Sequence, residues 1–282
     1  MKTRIITAVI GLIVVLPVLL FSNTVALEIL IALISLVGIY EMIRCIGQQK
    51  NLWILIPSEI IAGFMPFCIR QIDTEKVFGM TLSKFIIAVC IVYTLWVMAV
   101  SIFSKGKFPI DAAALIFMTV LYITCGFTGI ICTRALEGGQ YLFWLIFIAS
   151  WIPDTGAYFI GVNFGKHKLI PDVSPKKSVE GAIGGVVTCM IAFAIYTVII
   201  NKCFDTSLNI WLMVIAAALL AVVSMIGDLI ASLIKRHYDI KDYGKLLPGH
   251  GGIMDRFDSI LAVSCVINVL WLIPVFANNV LK

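Results

Sequence analysis

Long unbroken runs of apolar side chains, separated by short polar connections, constrain this chain more than any other feature. They cover residues 5–21, 25–40, 52–69, 82–103, 112–133, 141–160, 182–200, 210–234 and 260–276. A helix crossing the hydrocarbon core of a bilayer needs about 20 apolar residues. In lipid, only helices and closed barrels satisfy their own backbone polar groups. Barrel strands would alternate apolar and polar residues over about 10 positions, whereas these runs are continuous. The expected fold is therefore all-α: a polytopic integral membrane bundle of about nine transmembrane helices. Composition agrees, since 61% of the residues are hydrophobic and only 13% are charged, against about 25% charged in soluble domains. A soluble globular protein is excluded, and no nucleic-acid partner is expected. The short polar gaps leave no room for a separate soluble domain, so residues 1–282 read as one membrane domain, with N-terminal helices in 1–140 and the chemically distinctive residues in 141–282.

The first run follows Lys2 and Arg4 and lacks a small-x-small cleavage pattern, so it reads as a retained signal anchor. Only Ser-Asn-Thr separates it from the second run, as in a tight helical hairpin. Pro57, Pro66 and Pro153 mark expected kinks, tolerated where neighbouring helices satisfy the freed backbone groups. The eight cysteines form no Cys-x-x-Cys pair and mostly sit inside apolar runs, as small hydrophobes do. Cytoplasmic loops of membrane proteins are enriched in Lys and Arg. With the N-terminus cytoplasmic, the inner segments hold Lys2, Arg4, Arg44, Lys50, Lys105, Lys107, Lys166, Lys168, Lys176, Lys177, Lys235, Arg236, Lys241, Lys245 and Arg256. The outer segments hold Arg70, Lys76, Lys84, Arg134, Lys202 and Lys282, the first two flanking Asp73 and Glu75. Fifteen against six favours this orientation, in a cell or inner membrane, with the C-terminus outside.

The polar residues gather on that cytoplasmic face. In "GDLIASLIKRHYDIKD", Asp228, Ser232, Lys235 and Arg236 share one helix face at i, i+4, i+7 and i+8. An ionised aspartate at the centre of a membrane helix costs about 2.5–3.5 kcal/mol on insertion scales. Something must offset it: a metal or substrate, a wet cavity, or simply a salt bridge to a basic side chain. In "LPGHGGIMDRFDS", Pro248, Gly249, Gly251 and Gly252 form a backbone-exposing loop around His250. Asp255 and Asp258 follow at the start of the last helix, where amide groups favour anions and where carboxylates can equally serve as plain caps. Between residues 228 and 258 lie five acids and five bases, with Lys241, Lys245 and Arg256 among the latter. Mixed charge suits phosphoryl chemistry, in which carboxylates hold Mg²⁺ and Lys or Arg neutralise phosphate. A purely basic patch would suggest only anionic lipid. Asp154, Thr155 and Tyr158 in "PDTGAYFIG" add another costly intramembrane acid. Lys176 and Lys177 in "SPKKSVEG" precede the seventh run, where positive-inside anchoring is the plainer reading. His167 and His237 have no metal-ligand spacing and read as interfacial.

Residues 232–258, "SLIKRHYDIKDYGKLLPGHGGIMDRFD", resemble the signature of the phosphatidate cytidylyltransferase (CDP-diacylglycerol synthase) family. That pattern runs Ser-x-apolar-Lys-Arg, four residues, Lys-Asp-x-small, then Pro-x-His-Gly-Gly-apolar-x-Asp-Arg-apolar-Asp, and every specified position is met. "DTGAYFIG" and "SPKKSVEG" are similar to secondary motifs, whereas residues 1–140 agree only in hydropathy. The resemblance implies transfer of CMP from CTP to phosphatidic acid, releasing pyrophosphate, by a multi-pass homodimer with its active site facing the cytoplasm. It implies a metal pair involving Mg²⁺, held by Asp228 and Asp255 with Asp258 in support. Lys235 and Arg236 would contact phosphates and act with the three aspartates in catalysis. Ser232, Asp154, Lys176, Lys177, Lys241, His250, Gly251, Gly252 and Arg256 are the further candidates for substrate binding. Because the phosphatidate phosphate is already anionic, no strong general base is required.

Two rival readings remain open from the residues alone. A transporter could use Asp154 and Asp228 as coupling-ion sites, but the polar features lie in one half of the chain and show no repeat. Another membrane enzyme using CTP or a phospholipid, such as a polyprenol kinase, is the nearer rival. A purely structural scaffold leaves the charge cluster unexplained.

Overall fold

The computed structural model describes residues 13–70, 81–204 and 206–273, with the single positions 11, 77, 276 and 280. Part of the first expected span lies outside these residues, as do Lys2, Arg4, Asp73, Glu75, Lys76 and Lys282. Residues 13–20 are helical. The elements that follow are α1 (Ala26–Cys45), α2 (Leu52–Arg70), α3 (Leu82–Phe103), α4 (Ile110–Ala135), the short α5 (Gly139–Leu142), α6 (Trp144–Phe164), β1 (Lys168–Ile170), β2 (Ser174–Ser178), α7 (Val179–Phe204), α8 (Ile210–His237) and α9 (Met254–Trp271).

Among the described residues, seven helical segments are long and apolar enough to cross a membrane: α1 to α4, the run Gly139–Phe164, α7 and α8. Each coincides with an expected span to within a few residues. Their exposed surface is what a lipid-facing helix requires. In α3 only Tyr93 and Val97 are buried, while Ile87, Ile91, Val92, Leu95, Ile102 and Phe103 are exposed. Helix α9 starts at Met254, ahead of the expected residue 260, so Asp255, Arg256 and Asp258 fall in its opening turns. Pro57, Pro66 and Pro153 all lie inside helices, as bundle packing allows. Among the described residues, the nearly all-α fold includes one two-stranded sheet. The polar stretch before α7, expected as a loop, forms an antiparallel hairpin that pairs Lys168 with Ser178 and Ile170 with Ser174.

The chain divides into two compact units. The first takes the described residues up to Ile131 together with Tyr238–Arg256, and the second takes Cys132–His237 and those from Phe257 onward. In the first unit α1 packs on α2, and their far ends are joined by an ion pair from Arg70 Nη1 to the buried Glu28 Oε2 at 3.0 Å. Ser58 Oγ and Tyr93 OH, 2.7 Å apart, link α2 to α3, and Trp96 Nε1 donates to the Trp53 carbonyl.

In the second unit α6, α7 and α8 pack on one another, and glycine makes the closest approach possible. A Cβ on Gly156 would lie 2.0 Å from Thr188 Oγ1, and one on Gly185 would lie 2.7 Å from the Pro153 carbonyl oxygen. In lipid no hydrophobic driving force separates helix–helix from helix–lipid contact, so close backbone packing through small residues supplies the attraction. The pairing of α6 with α7 sets the position of Asp154, the residue after Pro153. Replacing Gly185 by Leu is expected to force these helices apart and to destabilise the protein by about 1–3 kcal/mol. Thermal melting of the detergent-solubilised variant measures it; an unchanged melting temperature would contradict the close packing.

Candidate functional site

In the second unit, the last turns of α8 carry Asp228, Ser232, Lys235 and Arg236. The first three are half-buried and Arg236 is exposed. The cation on Asp228 comes from another element: Lys177 Nζ, at the end of β2, lies 2.6 Å from Asp228 Oδ2. Only part of either side chain reaches solvent, so the pair is screened less than a surface ion pair would be. A short helix crossing brings a further carboxylate close. A Cβ on Gly227 would lie 2.7 Å from Ala262 Cβ and 2.8 Å from the Asp258 carbonyl oxygen, so α8 meets the start of α9 there only because residue 227 has no side chain. The charges of Asp154 and Asp258 both bear on Asp228, and Lys177 and Lys235 act against this accumulation of negative charge. Asp258 Oδ1 also accepts the Ser259 amide at 2.8 Å.

Beside these groups is a cavity of about 490 Å³, lined by Asp154, Tyr158, Lys168, Lys176, Lys177 and Asp228 among others. Its apolar wall includes Val162, Leu169 and Met225. A pocket with cations, carboxylates and an apolar wall suits an amphiphile with an anionic head. The hairpin that delivers its lysines is tied at the base by Glu180. That carboxylate accepts the Lys166 amide at 3.1 Å and the His167 amide at 3.2 Å, and pairs with His167 Nδ1 at 2.6 Å. The Val179 amide donates to the His167 carbonyl at 2.9 Å, and Ser178 Oγ accepts the Gly181 amide at the start of α7.

The first unit holds the glycine loop. The Leu247 amide donates to the Gly251 carbonyl and the His250 amide to the Leu247 carbonyl, closing a tight turn. Gly251 has φ of 86°, a conformation that disfavours side chains, and a Cβ there would meet Asp255 Oδ2 at 2.8 Å. That same oxygen accepts the Tyr243 and Gly252 amides at 2.8 and 2.9 Å. Arg256 Nε donates to the His250 carbonyl at 2.8 Å. Lys241, Lys245, Arg256 and His250 line a predominantly polar cavity of about 700 Å³ in which Asp242 is the acidic member. This is a basic, backbone-rich cradle suited to phosphate.

The expected site residues thus fall into two groups. Asp154, Lys176, Lys177, Asp228, Ser232, Lys235, Arg236 and Asp258 belong to the second unit, and Lys241, His250, Gly251, Gly252, Asp255 and Arg256 to the first. Further residues outside the expected set are also engaged, Glu180, His167, Glu41 and Arg44 among them. Glu180 and His167 brace the hairpin. Glu41, deep in α1, accepts the Met254 amide at 3.0 Å, and Arg44 donates to the Tyr243 carbonyl. A signal for Glu41 was present: it is an acid followed by an arginine at the end of an apolar run, in "YEMIRC". Read by hydropathy, the run stops at residue 40, which puts Glu41 in a connection where charge costs nothing; the helix in fact continues to Cys45.

Among the described residues, no three His, Cys, Asp or Glu side chains gather as a metal-holding group. The donor chemistry nevertheless fits Mg²⁺. This ion is usually held by one or two carboxylates, with substrate phosphates and water completing its shell. Asp228 and Asp258 are two such hard oxygen donors whose charges bear on each other.

The family model described as the cytidylyltransferase family matches residues 2–273. The chain is 34% identical over 270 residues to a phosphatidate cytidylyltransferase of Staphylococcus haemolyticus, spanning 96% of this chain and 98% of that protein. It is 36% identical over 273 residues to the phosphatidate cytidylyltransferase of Staphylococcus aureus, with the same coverage. A third relative of that name, from Staphylococcus saprophyticus, is 35% identical over 271 residues.

The bracing of the hairpin is open to direct measurement. Glu180→Ala removes the acceptor for two amides and the partner of His167, so amide hydrogen exchange across residues 166–179 should accelerate while that of α7 beyond its first turns stays unchanged. Unaltered exchange in 166–179 would mean that the hairpin holds without Glu180.

Proposed function

The chain belongs to the cytidylyltransferase family, and from that premise we propose how its residues carry out the reaction. It is a multi-pass membrane nucleotidyltransferase that moves CMP from CTP to phosphatidic acid, giving CDP-diacylglycerol and pyrophosphate in phospholipid biosynthesis. A phosphate oxygen of phosphatidic acid bonds to the α-phosphorus of CTP as the bond to the β-phosphate oxygen breaks, and pyrophosphate leaves. The nucleophile is already an anion. The protein's task is therefore to place two mutually repelling phosphates in line and to neutralise their charge.

The observation that supports this best is the Lys177–Asp228 pair inside the mixed-charge cavity. Lys177, with Lys168 and Lys176, offers cations to the phosphatidate head, while Tyr158, Val162 and Met225 supply apolar surface for its glycerol and acyl portion. Lys235 and Arg236 serve as further phosphate contacts at the end of α8, with Ser232 as a hydrogen-bond donor one turn earlier. In the first unit, Lys241, Lys245 and Arg256, with the loop at His250 and Gly251, receive the triphosphate, while the buried Gly252 supports that loop from behind. Asp228 and Asp258 would hold Mg²⁺, with Asp255, whose Oδ2 already accepts two amides, as the third candidate donor. When bound, the ion would neutralise charge on the transferring phosphate and its leaving group. Lys177 carries three N–H donors, so those that Asp228 does not use can turn to phosphate. The uneven distribution of Lys and Arg supports a cytoplasmic face for these groups, where CTP is available. The family resemblance supports a homodimer.

Purified protein supplied with labelled CTP, phosphatidic acid and Mg²⁺ should release pyrophosphate and form a CDP-lipid. Asp228→Asn, Asp255→Asn and Asp258→Asn should each lower turnover by about 10²–10³-fold, the scale of losing one major electrostatic contact, with melting temperatures close to that of the parent. Near-normal turnover by Asp228→Asn at ordinary Mg²⁺ would overturn the metal assignment. Single cysteines at positions 177 and 245, in a background without native cysteines, should react with an impermeant thiol reagent from the same cytoplasmic side. Labelling from opposite sides would refute the shared face.

A further inference from the structure

We propose that Glu41, in the N-terminal half of the chain, is a positioning residue that holds the glycine loop in its phosphate-binding shape. The inference rests on assigning the triphosphate to that loop, but its geometry stands independently. Glu41 is only 3% exposed, on a helix long and apolar enough to cross a membrane. An isolated carboxylate cannot remain there without donors. The donors come from the loop and the start of α9. Oε2 accepts the Met254 amide at 3.0 Å, with the Ile253 amide beside it.

The loop is moulded to the other oxygen. A Cβ on Gly244 would lie 1.9 Å from Glu41 Oε1, and one on Gly252 would lie 2.2 Å from it. Gly252 keeps an ordinary backbone, so the need there is for space and not for an unusual φ. Two glycines of the loop therefore close on one carboxylate oxygen, and any larger residue at either position would displace it. Arg44, one turn further along α1, donates to the Tyr243 carbonyl, while the Tyr243 amide is held by Asp255. Tyr243 itself is fully buried. The segment bearing Lys241, Lys245 and His250 is thus clamped from one side by Glu41 and Arg44 and from the other by Asp255. Glu41 is not placed to touch substrate; it acts through the loop that Lys241 and Lys245 ride on.

The test uses the full-length enzyme in detergent. Glu41→Ala should accelerate amide exchange in residues 242–254 by about ten- to hundredfold, the scale of one lost charge-assisted hydrogen bond. It should raise KM for CTP to a similar degree while leaving KM for phosphatidic acid and the exchange of α2 and α3 near their parent values. Glu41→Gln keeps an oxygen that can accept the Met254 amide and should recover much of both effects. If Glu41→Ala does not fold, Glu41→Asp, which withdraws the carboxylate by one methylene, is read in the same way. Unchanged exchange in 242–254, or an equal rise throughout the first unit, would overturn the proposal. Lys245→Ala separates the two ideas. If it leaves KM for CTP unaltered, the triphosphate assignment fails while the exchange result still decides the role of Glu41. If it raises KM for CTP while Glu41→Ala alters neither readout, the positioning role alone is lost.

Discussion

A carboxylate on a membrane-spanning helix must find amide donors, a cation or water, because hydrocarbon offers none of these. Much of the structure around the candidate site follows from meeting that demand. Asp228 is met by Lys177 from the β-hairpin, Glu41 by amides at the head of α9, and Glu28 by Arg70 at the end of the neighbouring helix. In each case the partner is supplied by an element other than the one that carries the acid. The acids therefore determine which chain segments come together as much as the apolar packing does.

The same demand explains why the site is built from glycines as well as charges. Bringing a backbone amide to a buried carboxylate requires main chain to approach main chain or side chain at distances no Cβ permits. Gly227 allows α8 to meet the first turns of α9, and Gly156 and Gly185 allow α6 to lie against α7. Gly244 and Gly252 close around Glu41. A bundle assembled only from large apolar side chains would keep its helices too far apart for these contacts, and its acids would be left without donors.

Phosphoryl transfer between two anionic substrates benefits from such an arrangement. Repulsion between the substrates is the main obstacle, and positive groups held in advance need no reorganisation as the reaction proceeds. Lysines on a hairpin braced by Glu180, and on a loop clamped by Glu41 and Asp255, lose less conformational freedom on meeting phosphate than lysines on an untethered loop. In this chain acids hold the segments that carry the basic residues, and in the proposed reaction those basic residues would meet the phosphates.

The spans were legible in the sequence because hydrocarbon thickness demands a continuous apolar run, which is a local property; all seven recovered helical segments coincide with expected ones. Asp228, Asp255 and Asp258 stood out for the same kind of reason, as charges where an apolar helix or a glycine loop makes charge conspicuous. Their partners were not legible. Pairing Asp228 with Lys177 instead of the lysine and arginine on its own helix depends on a hairpin whose strands are too short to leave a periodic pattern. Glu41 was hidden because hydropathy locates the end of an apolar run and not the end of a helix, so an acid just past that edge reads as solvated. The sequence by itself determined that this chain spans a membrane, which residues are too costly to be idle, and the chemistry they suit. Only the tertiary structure decided which donor meets which acid, because that choice turns on distances between segments far apart along the chain, and no local pattern encodes them.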